Sequence, residues 1–388
     1  MAPSTKAVLQ TLPPLALYVH IPWCVRKCPY CDFNSHESKG DLPEAAYCDA
    51  LILDLEMALP SVWGRRVHSI FFGGGTPSLF SAQAVEGLLA DVRARLPLAP
   101  DCEVTLEANP GTVEAAKFGE FRLAGINRLS IGIQSFNPRH LKALGRIHDD
   151  VQAKTAIAAA NEHFDNINLD LMYALPGQSE REALEDVEQA LSFKTCHLSF
   201  YHLTIEPNTV FHRRPPSLPN ADESAAIEEA VHARLAAAGY VHYETSAFSQ
   251  PDRQCRHNLN YWRFGDYLGI GAGAHSKVSF PDRVLRQVRA RQPREYMKEV
   301  EAGRPVREEN ALGRKDLVFE FMMNALRLHD GFAVPLFHER TGLPITAAEK
   351  PLNEAERRGF ITRDAHCIRP TETGRRFLND LLELFLPD

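Results

Sequence analysis

From Leu15 to about Thr204, short and nearly continuous apolar runs alternate with longer amphipathic stretches. The short runs are Leu15–Ile21, Ser69–Phe72, Glu103–Glu107, Arg128–Gln134, Ile167–Met172 and His197–Leu203. Between them lie the helical stretches Glu44–Leu59, Ala82–Leu96, Ala115–Ala124, Val151–Asn161 and Arg181–Phe193. Near-continuous apolar strands are buried on both faces, and strands that alternate with helices pair in parallel. The pattern predicts an α/β core of six β/α units. Periodicity alone leaves an incomplete barrel and an open doubly wound sheet both standing.

The remainder reads differently. Residues 206–220 carry Pro207, Pro215, Pro216 and Pro219 and form a connector. A helix is expected over Asp222–Ala238 and a strand over Val241–Phe248. From Arg314 onward the pattern gives helices at Asp316–Leu328, Val334–Thr341 and Ala347–Arg358. A hairpin at Phe360–Arg369 and a closing helix at Thr371–Leu386 follow, with an apolar stripe of Phe377, Leu378, Leu381, Leu382 and Leu384. Three helices and a wing make a winged-helix-like unit. Its basic residues are interleaved with acids and form no stripe, so packing or partner contact is expected there, and no nucleic acid. The division is a mobile tail at 1–14, the α/β core at 15–205, a connecting segment at 206–313 and the winged-helix-like unit at 314–388.

Composition narrows the class. A chain of 388 residues exceeds what one core usually serves. No window approaches the ~18 uninterrupted apolar residues of a membrane span, and residues 1–14 lack the apolar centre of a secretory signal. A cytoplasmic protein is expected. The net charge of −7 argues against broad phosphate-backbone binding. Of eight cysteines, Cys48, Cys102, Cys196, Cys255 and Cys367 are scattered without a repeating spacing, as in a reducing compartment.

The other three fall inside eight residues, Cys24-Val25-Arg26-Lys27-Cys28-Pro29-Tyr30-Cys31. Thiolates select zinc, copper(I) or iron–sulfur clusters, and structural zinc wants four ligands. Three suit a cubane with one iron left open, the alternative being a set of buried structural cysteines. The remaining polar motifs also follow strands, where parallel α/β folds place function. Gly73-Gly74-Gly75-Thr76-Pro77 follows the second strand, Glu107-Ala108-Asn109-Pro110 the third and Gln134-Ser135-Phe136 the fourth. Asp170 lies in the fifth, and Tyr201-His202-Leu203-Thr204 ends the sixth. A glycine run opens the backbone to a small zwitterion or makes a plain tight turn. Glu107 can accept from an ammonium or a ribose hydroxyl, or sit in a strand-end ion pair.

The cysteine triplet, with Tyr18-Val19-His20-Ile21-Pro22-Trp23 before it and Asp32-Phe33-Asn34-Ser35-His36 after it, resembles the radical S-adenosyl-L-methionine (SAM) superfamily. The likeness runs to the C-terminus. It points to the branch of oxygen-independent coproporphyrinogen III oxidases and their haem-chaperone relatives. It implies an incomplete (β/α)6 barrel with an α+β extension, and a 4Fe-4S cluster on Cys24, Cys28 and Cys31. It implies SAM held by Gly74, Gly75, Thr76, Glu107, Gln134, Arg146 and Asp170. Tyr18 and Tyr30 would give aromatic faces beside cluster and adenosine, ordinary core packing being the alternative.

A second string, His257-Asn258-Leu259-Asn260-Tyr261-Trp262, is similar to the chaperone branch and makes His257 a candidate haem ligand. A satisfied core histidine is the competing reading. The string Gly269-Ile270-Gly271-Ala272-Gly273 lacks the helix and acidic partner of a dinucleotide fingerprint. Phe33 stands where the oxidases carry a fourth cysteine, and only seventeen residues precede Tyr18, fewer than the oxidase arm. The expectation is a haem chaperone with a cluster and exchangeable SAM, a coproporphyrinogen oxidase being the alternative enzyme. A winged-helix regulator sensing SAM or haem is a third reading. The implied partners are haem and a haem-acceptor protein, with membrane-associated haem proteins among the clients. Monomer and homodimer stay open.

Overall fold

The computed structural model describes residues 9–387. Its centre is a twelve-stranded sheet. The six strands expected from the pattern are all present: β1 Leu15–Ile21, β2 Val67–Gly74, β3 Leu98–Ala108, β4 Arg128–Gln134, β5 Ile167–Tyr173 and β6 His197–His202. They lie side by side in chain order, every neighbouring pair parallel. β1 has six buried residues of seven, as a strand covered on both faces requires. The crossover helices begin on side-chain caps: Ser81, Asp149 and Ser179 each accept from a first-turn amide, and the last two complete a capping box.

The stretch 206–313 supplies both flanks of this sheet. Val241–Glu244 (β7) and Ala247–Ser249 (β8) form a hairpin antiparallel to β6, where the sequence pattern reads one strand. At the other edge Asp266–Ile270 (β9) pairs parallel with β1 in the register Leu15↔Asp266 to Val19↔Ile270. His275–Phe280 (β10), Arg283–Arg289 (β11) and Val306–Ala311 (β12) continue antiparallel from it. Buried ions rivet this flank to the core. Asp54, on the helix Glu44–Val62, meets Arg289 at 3.2 Å and accepts from Tyr296 at 3.0 Å. Asp266 takes Lys277 and Arg65, both at 2.8 Å.

Several elements differ from expectation. The stretch 115–124 breaks at Lys117 into Thr112–Ala116 and Phe118–Ala124. The closing helix breaks at Phe377 (φ −111°, ψ 46°) into Glu372–Arg376 and Leu378–Glu383. There Thr371 caps Gly374, whose α-carbon lies so near the Phe360 carbonyl that a β-carbon would overlap it. Of the expected stripe, Leu381 is fully buried and Phe377 is exposed. Residues 1–8 of the expected mobile tail lie outside the described residues. Residues 9–14 are pinned: Leu9 is buried among C-terminal side chains, and the carbonyls of Pro13 and Pro14 accept from Arg65 and the Asp266 amide. The C-terminal unit has its own core around Phe321, Phe337 and Leu352, and a three-stranded sheet of Phe332–Ala333, Ile361–Arg363 and Cys367–Pro370. No helix among the described residues is long and apolar enough to cross a membrane.

Candidate functional site

The C-terminal ends of β1 to β6 surround a cavity of about 340 Å³. Its lining includes Cys24, Cys28, Cys31, Tyr30, Gly74, Gly75, Thr76, Glu107, Gln134, Arg146 and Asp170. Eleven of the thirteen residues expected at the site are therefore brought together from five strand ends.

The cysteine loop is held from several sides. Asn34 donates to the carbonyls of Ala272 and Arg291, both at 2.9 Å, and Lys27 Nζ to those of Phe33 and Ser35. Gly271 and Gly273, both with positive φ, let their loop lie against His20 and Asn34; a β-carbon at either would overlap them. The glycine string thus buttresses the cysteine loop. Gly74 and Gly75 are equally required by packing, a β-carbon at Gly74 falling within 2.5 Å of the His20 ring and one at Gly75 within 2.4 Å of the Trp23 carbonyl oxygen.

Across the cavity, Asn109 donates to Thr76 Oγ1 at 2.9 Å and accepts from Arg146 Nη2 at 2.7 Å. Ser130 and Asn168 donate to the two oxygens of Asp170, each at 2.8 Å. Gln134 stands in left-handed backbone at φ 68°, where β4 and β5 slip register, a strained placement for a residue with a side chain. Burial, and then the nearby Asp170 charge, push the Glu107 carboxyl up to about 8. Asp170 is raised too, by burial against the pull of Ser130 and Asn168. Two carboxyls held so suit a ligand that brings a positive charge or hydroxyls.

Two expected residues do not line the cavity. Tyr18 lies beneath it, stacked on Phe71, and its hydroxyl bonds His20 Nδ1 at 3.0 Å. His20 Nε2 in turn bonds the Asn34 carbonyl at 2.9 Å, so Tyr18 props the cysteine loop. His257 is buried on the short helix Arg256–Trp262, with Nδ1 at 2.9 Å from Ser69 Oγ and Nε2 at 3.2 Å from the Tyr261 hydroxyl. Its amide donates to Glu103 at 3.1 Å, and burial drives its pKa down to about 3. Both ring nitrogens are engaged, so the haem-ligand expectation finds no open position there.

Sequence reasoning gave no part to Ser130 or Met172. Asn34, Asn109 and His202 lay inside quoted motifs without a role. Ser130 supports Asp170 because the two strands pair Ser130↔Asn168 and Gly132↔Asp170, a register no single-strand pattern reveals.

The donor set fits an iron–sulfur cluster. Three half-buried free thiols face one cavity, and Arg146 Nη1 lies 3.5 Å from Cys28 Sγ, with its buried Nε lacking a partner among the described residues. Such a guanidinium offsets thiolate charge. Six parallel strands in chain order, with a triple-cysteine loop after the first and polar motifs at their C-terminal ends, are the architecture of a radical SAM protein.

Comparison with known proteins agrees. The radical SAM superfamily model matches residues 18–190, and the HemN C-terminal domain model matches 312–377. The heme chaperone HemW of Escherichia coli K12 is 52% identical, covering 97% of this chain and 99% of the relative. That of Haemophilus influenzae is 48% identical with the same coverage. The coproporphyrinogen III oxidase HemN of E. coli superposes with a TM-score of 0.82 at 23% identity, over 96% of this chain and 90% of the other, which establishes the fold. The chain belongs to the HemW family of radical SAM proteins. Membership of the superfamily implies a 4Fe-4S cluster and SAM as cofactors.

Proposed function

We propose that this protein is a cytoplasmic haem chaperone, which binds haem and passes it to an acceptor protein, membrane-associated haem proteins among the clients. Cys24, Cys28 and Cys31 hold the cluster, and SAM exchanges in the cavity beside it. The observation that carries the reading is the near full-length identity to proteins named heme chaperone HemW, set beside Phe33 where the oxidases have a further cysteine.

When bound, the cluster supplies a one-electron donor and an open iron. This chain's residues do the rest. The Gly74–Gly75 backbone and Thr76 offer amides, carbonyls and a hydroxyl to an amino acid group. Glu107 and Asp170 face the positive or hydroxyl-bearing part of the ligand, and Arg146 compensates the sulfurs. Residues 206–220 fold back over the loop: the Phe211 amide donates to the Pro29 carbonyl at 3.0 Å, and its ring meets Tyr30 at 6.3 Å.

The test is an anaerobic assay of the reconstituted protein with SAM, a strong reductant and coproporphyrinogen III, with haem uptake followed in parallel. Stoichiometric uptake without decarboxylated product supports the chaperone. Repeated turnover to decarboxylated porphyrinogen would make the protein an oxidase.

A further inference from the structure

We propose that ferric haem docks across the open end of the barrel cavity, with the His202 imidazole as its protein ligand to iron. The inference rests on the haem-chaperone reading above and assigns the place where that cargo sits. An imidazole binds iron through a ring nitrogen that is unprotonated, unpartnered and approachable. Among the described residues, His202 is the one histidine that lines the cavity, at the C-terminal end of β6. It is exposed, and neither ring nitrogen has a hydrogen-bond partner among the described residues. Its ring stands edge-on to Tyr173, at 5.3 Å and 74°, which fixes the plane without occupying a nitrogen. His257 fails on both counts, being buried and doubly bonded.

The surroundings suit a flat apolar macrocycle with acidic edges. Phe33 is 62% exposed and Tyr201 41% exposed, and both line the same cavity. Large aromatic faces left in water beside a cavity mark a binding surface. Arg26 also lines the cavity, is exposed, and has no carboxylate partner among the described residues, so its guanidinium can take a propionate in bidentate fashion. The interior, at about 340 Å³, lies at the small end of ligand cavities. The macrocycle therefore covers the mouth and leaves the interior to the smaller cofactor.

The experiment is an anaerobic titration of the cluster-loaded protein with ferric haem, read by Soret absorbance and electron paramagnetic resonance. The parent, His202→Ala, His202→Tyr, Arg26→Gln and His257→Gln are compared, each checked for folding by thermal melting. Loss of an outer partner of a metal ligand costs about tenfold in affinity, so loss of the ligand itself costs at least that. The expected result is a drop of roughly tenfold or more in His202→Ala, with the imidazole signature lost, and a phenolate-type spectrum in His202→Tyr. Arg26→Gln weakens uptake without changing the spectrum, and His257→Gln retains it. Unchanged affinity and spectrum in His202→Ala would overturn the assignment, as would loss of the signature in a folded His257→Gln alone. Failure of the parent to take up haem would remove the chaperone reading and this assignment with it.

Discussion

Arg146 joins two sides of the site: its Nη1 lies 3.5 Å from Cys28 Sγ, while its Nη2 donates to Asn109 Oδ1 at 2.7 Å and to the Gly132 carbonyl at 2.8 Å. One side chain thus ties the cysteine loop after β1 to the ends of β3 and β4. Arg146→Gln removes a charge beside the sulfurs and breaks a three-way brace. Cluster affinity should fall by about tenfold or more, the effect expected for an outer partner of a metal ligand, read as loss of iron and sulfide on gel filtration relative to the parent. Retention equal to the parent's would show that the brace is dispensable.

Cys24→Ser, Cys28→Ser and Cys31→Ser should each abolish the cluster, because a hydroxyl does not replace a soft thiolate on iron. Iron and sulfide analysis after anaerobic reconstitution checks this. Any single variant with parental iron and sulfide would contradict the three-thiol assignment.

Glu107 gives a pH dependence whose sign follows from its environment. With its carboxyl pushed up to about 8, Glu107 carries a proton at neutral pH in the ligand-free protein. A ligand that brings positive charge favours the carboxylate, so binding at pH 7 releases a proton. SAM affinity should climb as pH rises toward 8 and level off above it. Calorimetry in buffers of differing ionisation enthalpy measures the proton directly, and Glu107→Gln should bind more weakly with that slope removed. A parent slope of zero would refute the coupling.

His257→Ala tests the structural role of that residue. It leaves the buried Ser69 hydroxyl without its ring partner and opens a void beside Phe71, whose ring lies 5.0 Å from the imidazole. A loss of about 2–4 kcal/mol in unfolding free energy is expected from the unpaired group and the void together. Chemical denaturation measures it. A neutral result would mean that the buried bonds contribute little and would reopen His257 as a functional residue.

Asp54→Ala addresses the flank that supports the cysteine loop. It strands the buried Arg289 guanidinium and removes the acceptor for the Tyr296 hydroxyl proton, leaving that oxygen only its bond from the Gly271 amide. Breaking a buried pair from one side costs about 3–5 kcal/mol. Denaturant midpoints compare it with an Asp54→Ala/Arg289→Met double variant, which should recover part of the loss. If the single variant melts like the parent, the rivet is not what holds β11 to the core.

The amino-acid pattern alone determined the six parallel strands, the helices between them, the cysteine triplet and the polar motifs after each strand. Burial on both faces and helical period are local properties, so they are written in consecutive residues. Leu15–Ile21 and Arg128–Gln134 are recovered to the residue for that reason. What each motif residue does was decided by partners remote in the chain. His257 and Tyr18 have the composition of cofactor contacts, yet His257 is spent on Ser69, 188 positions away, and Tyr18 on a relay to the cysteine loop. The flank of β9 to β12 shows the same limit: a connecting segment by sequence, it joins the sheet at β1 and braces the cysteine loop through Asn34 and Ala272, 238 positions apart. Whether a ring nitrogen is free or a glycine must admit a neighbour depends on which distant surfaces meet, and only the tertiary structure fixes that.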